Sequence, residues 1–504
     1  MGLFEISPDV PWLSLIWLSM LAPALIIALI PARQHEAIRW TGAIFAFLSL
    51  ALSLLVFFAY DPIRGGFQFV ERLDWIPQLG ISYLLGVDGI NLPMLILNGF
   101  IIFSGALMSW NIDKRVKEYW IWLLLLTTGV YGVFLALDLF LFFVFYELAV
   151  LPMYLLIGIW GSTRKEYGAM KLTLFLMTGS AFAIIGMLAI YFGSGLRTFD
   201  MPELARTVTF SREFQNYFFP PLFIGFAVLA GMFPFHTWSP TGHVAAPTAV
   251  SMLHAGVLMK LGAYGCLRAA MWLMPEGAQF WLPIIAVLTI LNVVYGATIA
   301  MAQRDFKFII GYSSVSHMGL VVMGLAAANQ IGIMGAVLQM FAHGIMTGLF
   351  FAVVGRMIYE RTHTRQLPEL GGLGRVMPFA AVMFIIGGLS SMGMPGFAGF
   401  WAEFNIFIGV WESYPLIAVI AALSIPITGA YILRATYQVF FDEVKNPEFF
   451  KLPKLTWQEY TGAIILAAIL IGVGIYPSVL AELIDTGVTP IVQQLNSPAI
   501  AVGP

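Results

Sequence analysis

Residues Pro234 to Gly265 read PFHTWSPTGHVAAPTAVSMLHAGVLMKLGAYG. A stretch rich in Pro, Gly and His breaks one apolar helix, and a second apolar helix follows with Lys260 near its middle. An ammonium group at bilayer depth costs about 2.5 to 3.5 kcal/mol even on translocon insertion scales, so such a lysine comes with a partner or a task. The surrounding composition places it at that depth. Of 504 residues 60% are hydrophobic and only 10% charged, against about 25% charged in soluble domains. The bilayer is this chain's solvent. A single cysteine, Cys266, excludes an intrachain disulfide, and a net charge of -2 provides no basic field for nucleic acid. The opening MGLFEISPDVPW is acidic and lacks a small-residue cleavage site, so it reads as a tail before a retained first helix.

A crossing helix needs roughly 20 apolar residues, and fourteen segments qualify, at about 11–30, 38–59, 83–109, 119–136, 139–160, 168–192, 219–239, 246–271, 279–301, 308–326, 331–355, 376–411, 416–440 and 460–481. Charge checks the count. With strict alternation, 18 of the 25 Lys and Arg residues fall on one side, five on the other, and Lys260 and Arg268 lie inside the eighth segment. The positive-inside rule makes the basic side cytoplasmic and puts both termini outside. One missed segment would scramble every later loop.

Between the second and third segments, GGFQFVERLDW alternates apolar and polar residues, as in a hairpin on the outer face. Residues 193–218 read as a polar cap, and 441–458, with Phe449, Phe450 and Trp457 among charges, as an interfacial stretch. Breaks at Gly231–Pro234 in segment seven and Gly393–Gly396 in segment twelve lie five segments apart, the pattern of an internal repeat built on discontinuous helices. The expected fold is an all-α polytopic membrane protein of about 14 helices, with two inverted five-helix repeats (segments 4–8 and 9–13) and broken helices 7 and 12. Its expected parts are 1–110 (three helices and the hairpin), 111–272 (first repeat), 273–441 (second repeat) and 442–504 (inner amphipathic segment, last helix, outer tail).

Five ionisable residues fall at comparable membrane depth: Glu147 in segment five, Lys260 in eight, His317 in ten, His343 in eleven and Glu403 in twelve. Carboxylate, amine and imidazole are the components of a proton relay, since desolvation brings amines and acids toward neutrality, where histidine already titrates. Each has a plainer reading: a static ion pair for Glu147 or Lys260, a helix-to-helix hydrogen bond for His317 or His343, a structural acid beside a Gly-Pro break for Glu403. Asp88 and Asp138, near outer helix ends, suit the positive end of the helix dipole. Lys307, at an inner end, suits snorkelling. The 25 methionines and the aromatic residues suit packing and lipid contact. No metal-ligand cluster, nucleotide loop or nucleophile triad is present in the sequence.

These motifs, together with FVFYELAVLPMYLLIG, QRDFKFIIGYSSVSHMG, AHGIMTGLFF and GMPGFAGFWAEF, closely resemble the subunit M family among the antiporter-like chains of respiratory complex I, the proton-pumping NADH:quinone oxidoreductase. The similarity covers essentially the whole chain, in order. It implies a non-redox subunit of a translocase in a bacterial inner membrane. NADH, flavin, iron-sulfur and quinone sites would lie on other subunits, with no cofactor or metal in this chain. Its partners would be the neighbouring antiporter-like and membrane-arm subunits. By position Glu147, Lys260 and Glu403 look like the family's glutamate on helix five, lysine on helix eight and acid on helix twelve. His317 and His343 look like its bridging histidines. A glutamate at 403, where sister subunits tend to carry lysine, favours type M. Two departures stand out: FPPLFIGFAVLAGMFPFH lacks the family's helix-seven lysine, and the turn from Trp238 to His243 lacks its usual Asp. Glu147 therefore has no expected cation, which weakens it as a charge switch. A subunit of a sodium/proton antiporter and a non-pumping structural subunit remain the alternatives.

Overall fold

The chain is described by a computed structural model for residues 6–496, Pro8 excepted. Thirteen helices among these residues are long and apolar enough to cross a membrane. A fourteenth crossing is made of two half-helices, Pro378–Ser391 and Ala398–Ser413, joined through Gly393 and Gly396 with φ of +64° and +93°. The crossings are called spans one to fourteen in chain order. Spans eight (Thr248–Met271) and eleven (Gln330–Thr362) are enclosed over their whole apolar windows, whereas 39% of span one (Trp12–Leu29) and 33% of span thirteen (Pro415–Phe441) are covered. Polar groups can therefore sit on the two central helices without meeting lipid.

Backbone needs are met locally. Thr127 and Thr128 return their hydroxyls to the carbonyls of Leu123 and Leu124 at 2.9 and 2.8 Å, the usual way hydroxyls are satisfied inside an apolar helix. Asp138 caps span five (Leu139–Trp160), accepting the N–H groups of Phe140 and Leu141 at 2.9 and 3.0 Å. Asp305 does the same for span ten (Phe306–Ala326), accepting from Lys307 and Phe308. Both caps also form an isolated antiparallel bridge, Asp138 with Asp200 and Asp305 with Gln366. The same start recurs five spans later at the opposite end of the bundle, as an inverted repeat requires.

Span seven (Arg212–Ala245) is broken as the sequence indicates: its first helix ends at Ala230, Gly231 turns at φ +75°, and a short helix resumes at Trp238–Ala245. The hairpin expected between the second and third segments is present as β1 (Gln68–Ile76) paired antiparallel with β2 (Ile81–Val87), the register slipping between Gln68 and Glu71 and again between Asp74 and Ile76. This corrects the expected third segment, 83–109. Residues 83–87 belong to β2, and span three begins at Asn91. ISYLLGV is as apolar as a helix end, and hydropathy does not separate an apolar strand from a helix. The 193–218 cap contains a short helix, Met201–Thr207, whose N-cap Asp200 pairs with Arg72 of β1 at 2.8 Å.

Two further expectations change. The C-terminal stretch expected as a tail is a helix over Ser478–Asn496 that buries Leu480, Leu483, Ile484, Val488 and Ile491 against the bundle; residues 497–504 lie outside the described part. Its one-sided apolar pattern is amphipathic and so escapes a search for crossings. Lys307 does not snorkel: it is 2% exposed, donates to the Ala246 carbonyl at 3.1 Å and lies over the Tyr359 ring. The carbonyl end of the short helix in span seven, close by, gives its ammonium a better partner than a long reach to water. In the 441–458 stretch, Phe449 packs inward while Phe450 and Trp457 are exposed.

Candidate functional site

Lys260 is fully buried on span eight. The turn before it, His254–Leu258, is wound as a π-helix. Such a turn leaves a carbonyl outside the regular ladder and recurs at functional positions. Here the ammonium takes that carbonyl, donating to Ala255 O, and its other partner is Nδ1 of His343 on span eleven at 2.7 Å. Small residues allow the two helices to meet: a Cβ on Gly344 would stand 2.5 Å from the Gly256 carbonyl oxygen.

From His343 the polar row continues outward from the centre. The imidazoles of His343 and His317 lie with ring centroids 5.4 Å apart. His317 Nδ1 is 3.2 Å from Glu403 Oε1 and 3.2 Å from Gln339 Nε2, while its Nε2 is 3.1 Å from the Ser391 hydroxyl. Gln339 also reaches Glu403 Oε1 at 3.5 Å. Glu403 is seated where span twelve is broken, against Gly393, where a Cβ would come within 2.9 Å of its Oε2. Lys260, His343, His317 and Glu403 are 0, 1, 2 and 7% exposed. Four of the five residues singled out in the sequence thus form one row across four helices.

Glu147 is apart from that row. It is half-buried on span five, and its Oε1 has no hydrogen-bond partner among the described residues. Ser180 on span six is the polar side chain that acts on it. Asp88 and Asp138 hold structure: Asp88 pairs with Arg268, buried beneath Phe67, Tyr264 and Trp272, and Asp138 caps its helix while Oδ2 accepts the Ser82 N–H at 3.0 Å.

Sequence reasoning missed several members. Gln339 and Ser391 complete the surroundings of His317; Gln339 stands one turn before His343 on the same helix, a spacing that marks a shared face. On the other side of Lys260, His243 and His254 lie ring against ring, tilted by 38° with centroids 3.9 Å apart, and His243 Nε2 meets the Ser239 hydroxyl at 3.1 Å. Nδ1 of His243 and both nitrogens of His254 and His236 have no protein hydrogen-bond partner among the described residues. Their signal was the number of histidines in the opening motif, but nothing in the spacing says that 243 and 254 face each other. Among the described residues no group of three or more His, Cys, Asp or Glu forms a possible metal site.

Residues 136–428 match the family model described as NADH:quinone oxidoreductase/Mrp antiporter, TM. NADH-quinone oxidoreductase subunit M of Rhodobacter capsulatus is 37% identical over 96% of this chain and 97% of its own. The chain belongs to this family. Within the family, NAD(P)H-quinone oxidoreductase chain 4 2 of Microcystis aeruginosa is 36% identical over 87% of this chain and 80% of its own. The fold matches a chain of respiratory complex I from Thermus thermophilus, solved with bound NADH, at TM-score 0.88 and 28% identity, covering 96% of this chain and all of that one. The broken spans and the buried lysine therefore belong to a membrane subunit of the complex I type.

Proposed function

We propose that this chain is a proton-translocating membrane-arm subunit of an NADH-quinone oxidoreductase, itself without redox chemistry, and that Lys260, His343, His317 and Glu403 carry the proton. One observation supports this above others: the four side chains form a buried row in which each neighbouring pair is in hydrogen-bond or ring contact, running from the lysine to the helix break at Glu403. A static ion pair needs two groups and a satisfied shell. Here the row has four members, and His343 Nε2 is left without a protein partner among the described residues, as a group that exchanges protons through water requires.

In this mechanism a proton enters from the cytoplasmic side, which is the basic face, and resides on Lys260 between the Ala255 carbonyl and His343. A neutral imidazole accepts on one nitrogen and releases from the other, so His343 and His317 pass protons without moving far. Glu403 takes the proton at the break, where unwound backbone tolerates water, and releases it outward. The lysine is the storage site, and the histidines set the order of transfer. Glu147 would act as a modulating charge at the edge rather than as a link in the row. The two five-helix halves, 111–272 and 273–441, would contribute Lys260 and the His–His–Glu portion respectively. The chain would lie in a bacterial inner membrane with both termini outside, against other antiporter-like and membrane-arm subunits.

The test is NADH-driven proton uptake in inverted membrane vesicles, comparing native complex with Lys260→Ala and Glu403→Gln at equal assembly. Loss of uptake together with slowed NADH oxidation supports the mechanism. Full uptake per NADH in both variants would leave the chain a scaffold, and dependence of uptake on sodium would favour the antiporter reading.

A further inference from the structure

The basic end of the bundle holds a cleft of about 520 Å³ between the loop after span five, the start of span ten and the loop after span eleven. Its volume lies within the range of about 300–1,000 Å³ common to ligand sites. Three fixed cations line it, Arg164, Lys171 and Arg365, with His363 and a single carboxylate, Asp305. That carboxylate is already taken: Arg365 Nε holds it at 2.6 Å. The Arg164 guanidinium makes no hydrogen bond or ion pair among the described residues, and the Lys171 ammonium has a 3.5 Å approach to the Thr241 hydroxyl and lies 5.7 Å from the Tyr167 ring centre, with no anionic partner. Two cations thus face a cleft with no anion left to pair them.

What surrounds the cleft defines the anion. Directly beside it, span six presents Tyr167, Met170, Leu174 and Met177 outward, 55 to 59% exposed, at helical spacings of three and four residues. Ile184 and Leu188 carry the same apolar face down the helix. A free phosphate has no use for such a strip; a lipid's acyl chains do. Basic pockets at a helix end beside lipid-facing apolar surface are suited to anionic headgroups.

We propose that this cleft binds the phosphate headgroup of an anionic phospholipid, with Arg164 and Lys171 as its charged contacts and the exposed face of span six as the groove for its chains. The floor of the cleft includes Thr241 and Val244, which flank His243 in the short helix of span seven. A bound headgroup therefore braces the half-helix that carries His243, one member of the histidine pair. The site stands whether or not the buried row moves protons.

The test uses the intact complex in nanodiscs of phosphatidylcholine containing a trace of phosphatidylglycerol with a photoreactive headgroup. Crosslinks are expected in 160–171 and 363–366, competed by unlabelled phosphatidylglycerol and not by phosphatidylcholine or inorganic phosphate. Removing two cations, each worth the usual membrane-surface attraction, should weaken labelling in Arg164→Gln/Lys171→Gln roughly thirtyfold at low probe. Native complex that labels elsewhere overturns the proposal without any variant having to assemble. Equal labelling of the double variant overturns it too, and displacement by inorganic phosphate alone would make this a free-anion site. A photoreactive group at position 167 that captures a neighbouring subunit would make the face a protein interface instead. None of these readings depends on proton uptake, so the relay can fail while the lipid site stands, or the reverse.

Discussion

Replacing Gly344 by Ala tests whether the geometry of the Lys260–His343 contact matters, without touching a titratable group. A Cβ at 344 would stand 2.5 Å from the Gly256 carbonyl oxygen, where ordinary contact begins near 3.4 Å. Neither partner is a side chain that can swing away, so spans eight and eleven must separate locally by the difference, about 0.9 Å. The link from Lys260 Nζ to His343 Nδ1, 2.7 Å at present, would lengthen toward about 3.6 Å, beyond hydrogen-bond range. Overpacking of this kind costs about 1–3 kcal/mol, which a bundle of fourteen crossings tolerates, so assembly should persist. A displacement near 1 Å at a transfer step costs up to about a hundredfold in rate, so uptake should fall about ten- to a hundredfold. Gly348 supplies the control one turn along the same helix face. Its added Cβ would meet Cδ1 of Ile101 at 2.5 Å, the movable end of a side chain, and Gly348→Ala should keep uptake within about twofold. Native uptake in Gly344→Ala at equal assembly, or equal loss in both variants, would refute the reasoning.

Other perturbations separate stability from transport. Glu459 is buried between Arg356 at 2.8 Å and Arg361 at 2.7 Å, so Glu459→Gln should destabilise the joint of spans eleven and fourteen by about 3–5 kcal/mol, read as a lower unfolding temperature of the detergent-solubilised complex. An unchanged midpoint would mean the two arginines find water instead. Burial pushes the Asp138 carboxyl up from 3.8 to about 6, against three backbone N–H groups that hold it down. The folded state then binds this proton more tightly than the unfolded one, so its contribution favours folding below pH 3.8, is lost as pH rises through about 6 and is constant above. Asp138→Asn should flatten that slope in a comparison of unfolding midpoints across the window; parallel pH profiles would contradict it. His317→Ala should abolish uptake while leaving assembly intact, because Ser391 and Gln339 can turn to each other or to water; uptake retained would show that protons reach Glu403 by another route.

The sequence alone determined the bilayer as solvent, the number of crossings and the position of each charge along its helix. These follow from one-dimensional quantities: apolar run length against bilayer thickness, loop charge against side, and position along a helix of fixed rise. The two helix breaks were legible for the same reason, since Gly and Pro act on their own backbone. Contact between distant spans was not. Equal depth made Glu147 look like a partner of Lys260, but depth says nothing of azimuth, and only packing turned Glu147 to the edge while enclosing spans eight and eleven at the centre. Residues 83–87 were read as helix because hydropathy is blind to the pairing that made them a strand. Gln339, Ser391 and the paired rings of His243 and His254 entered the site only through the folded bundle, where side chains distant in sequence come into contact. The π-turn that frees Ala255 for Lys260 is of the same kind: nothing in its sequence, HAGVL, sets it apart from ordinary helix.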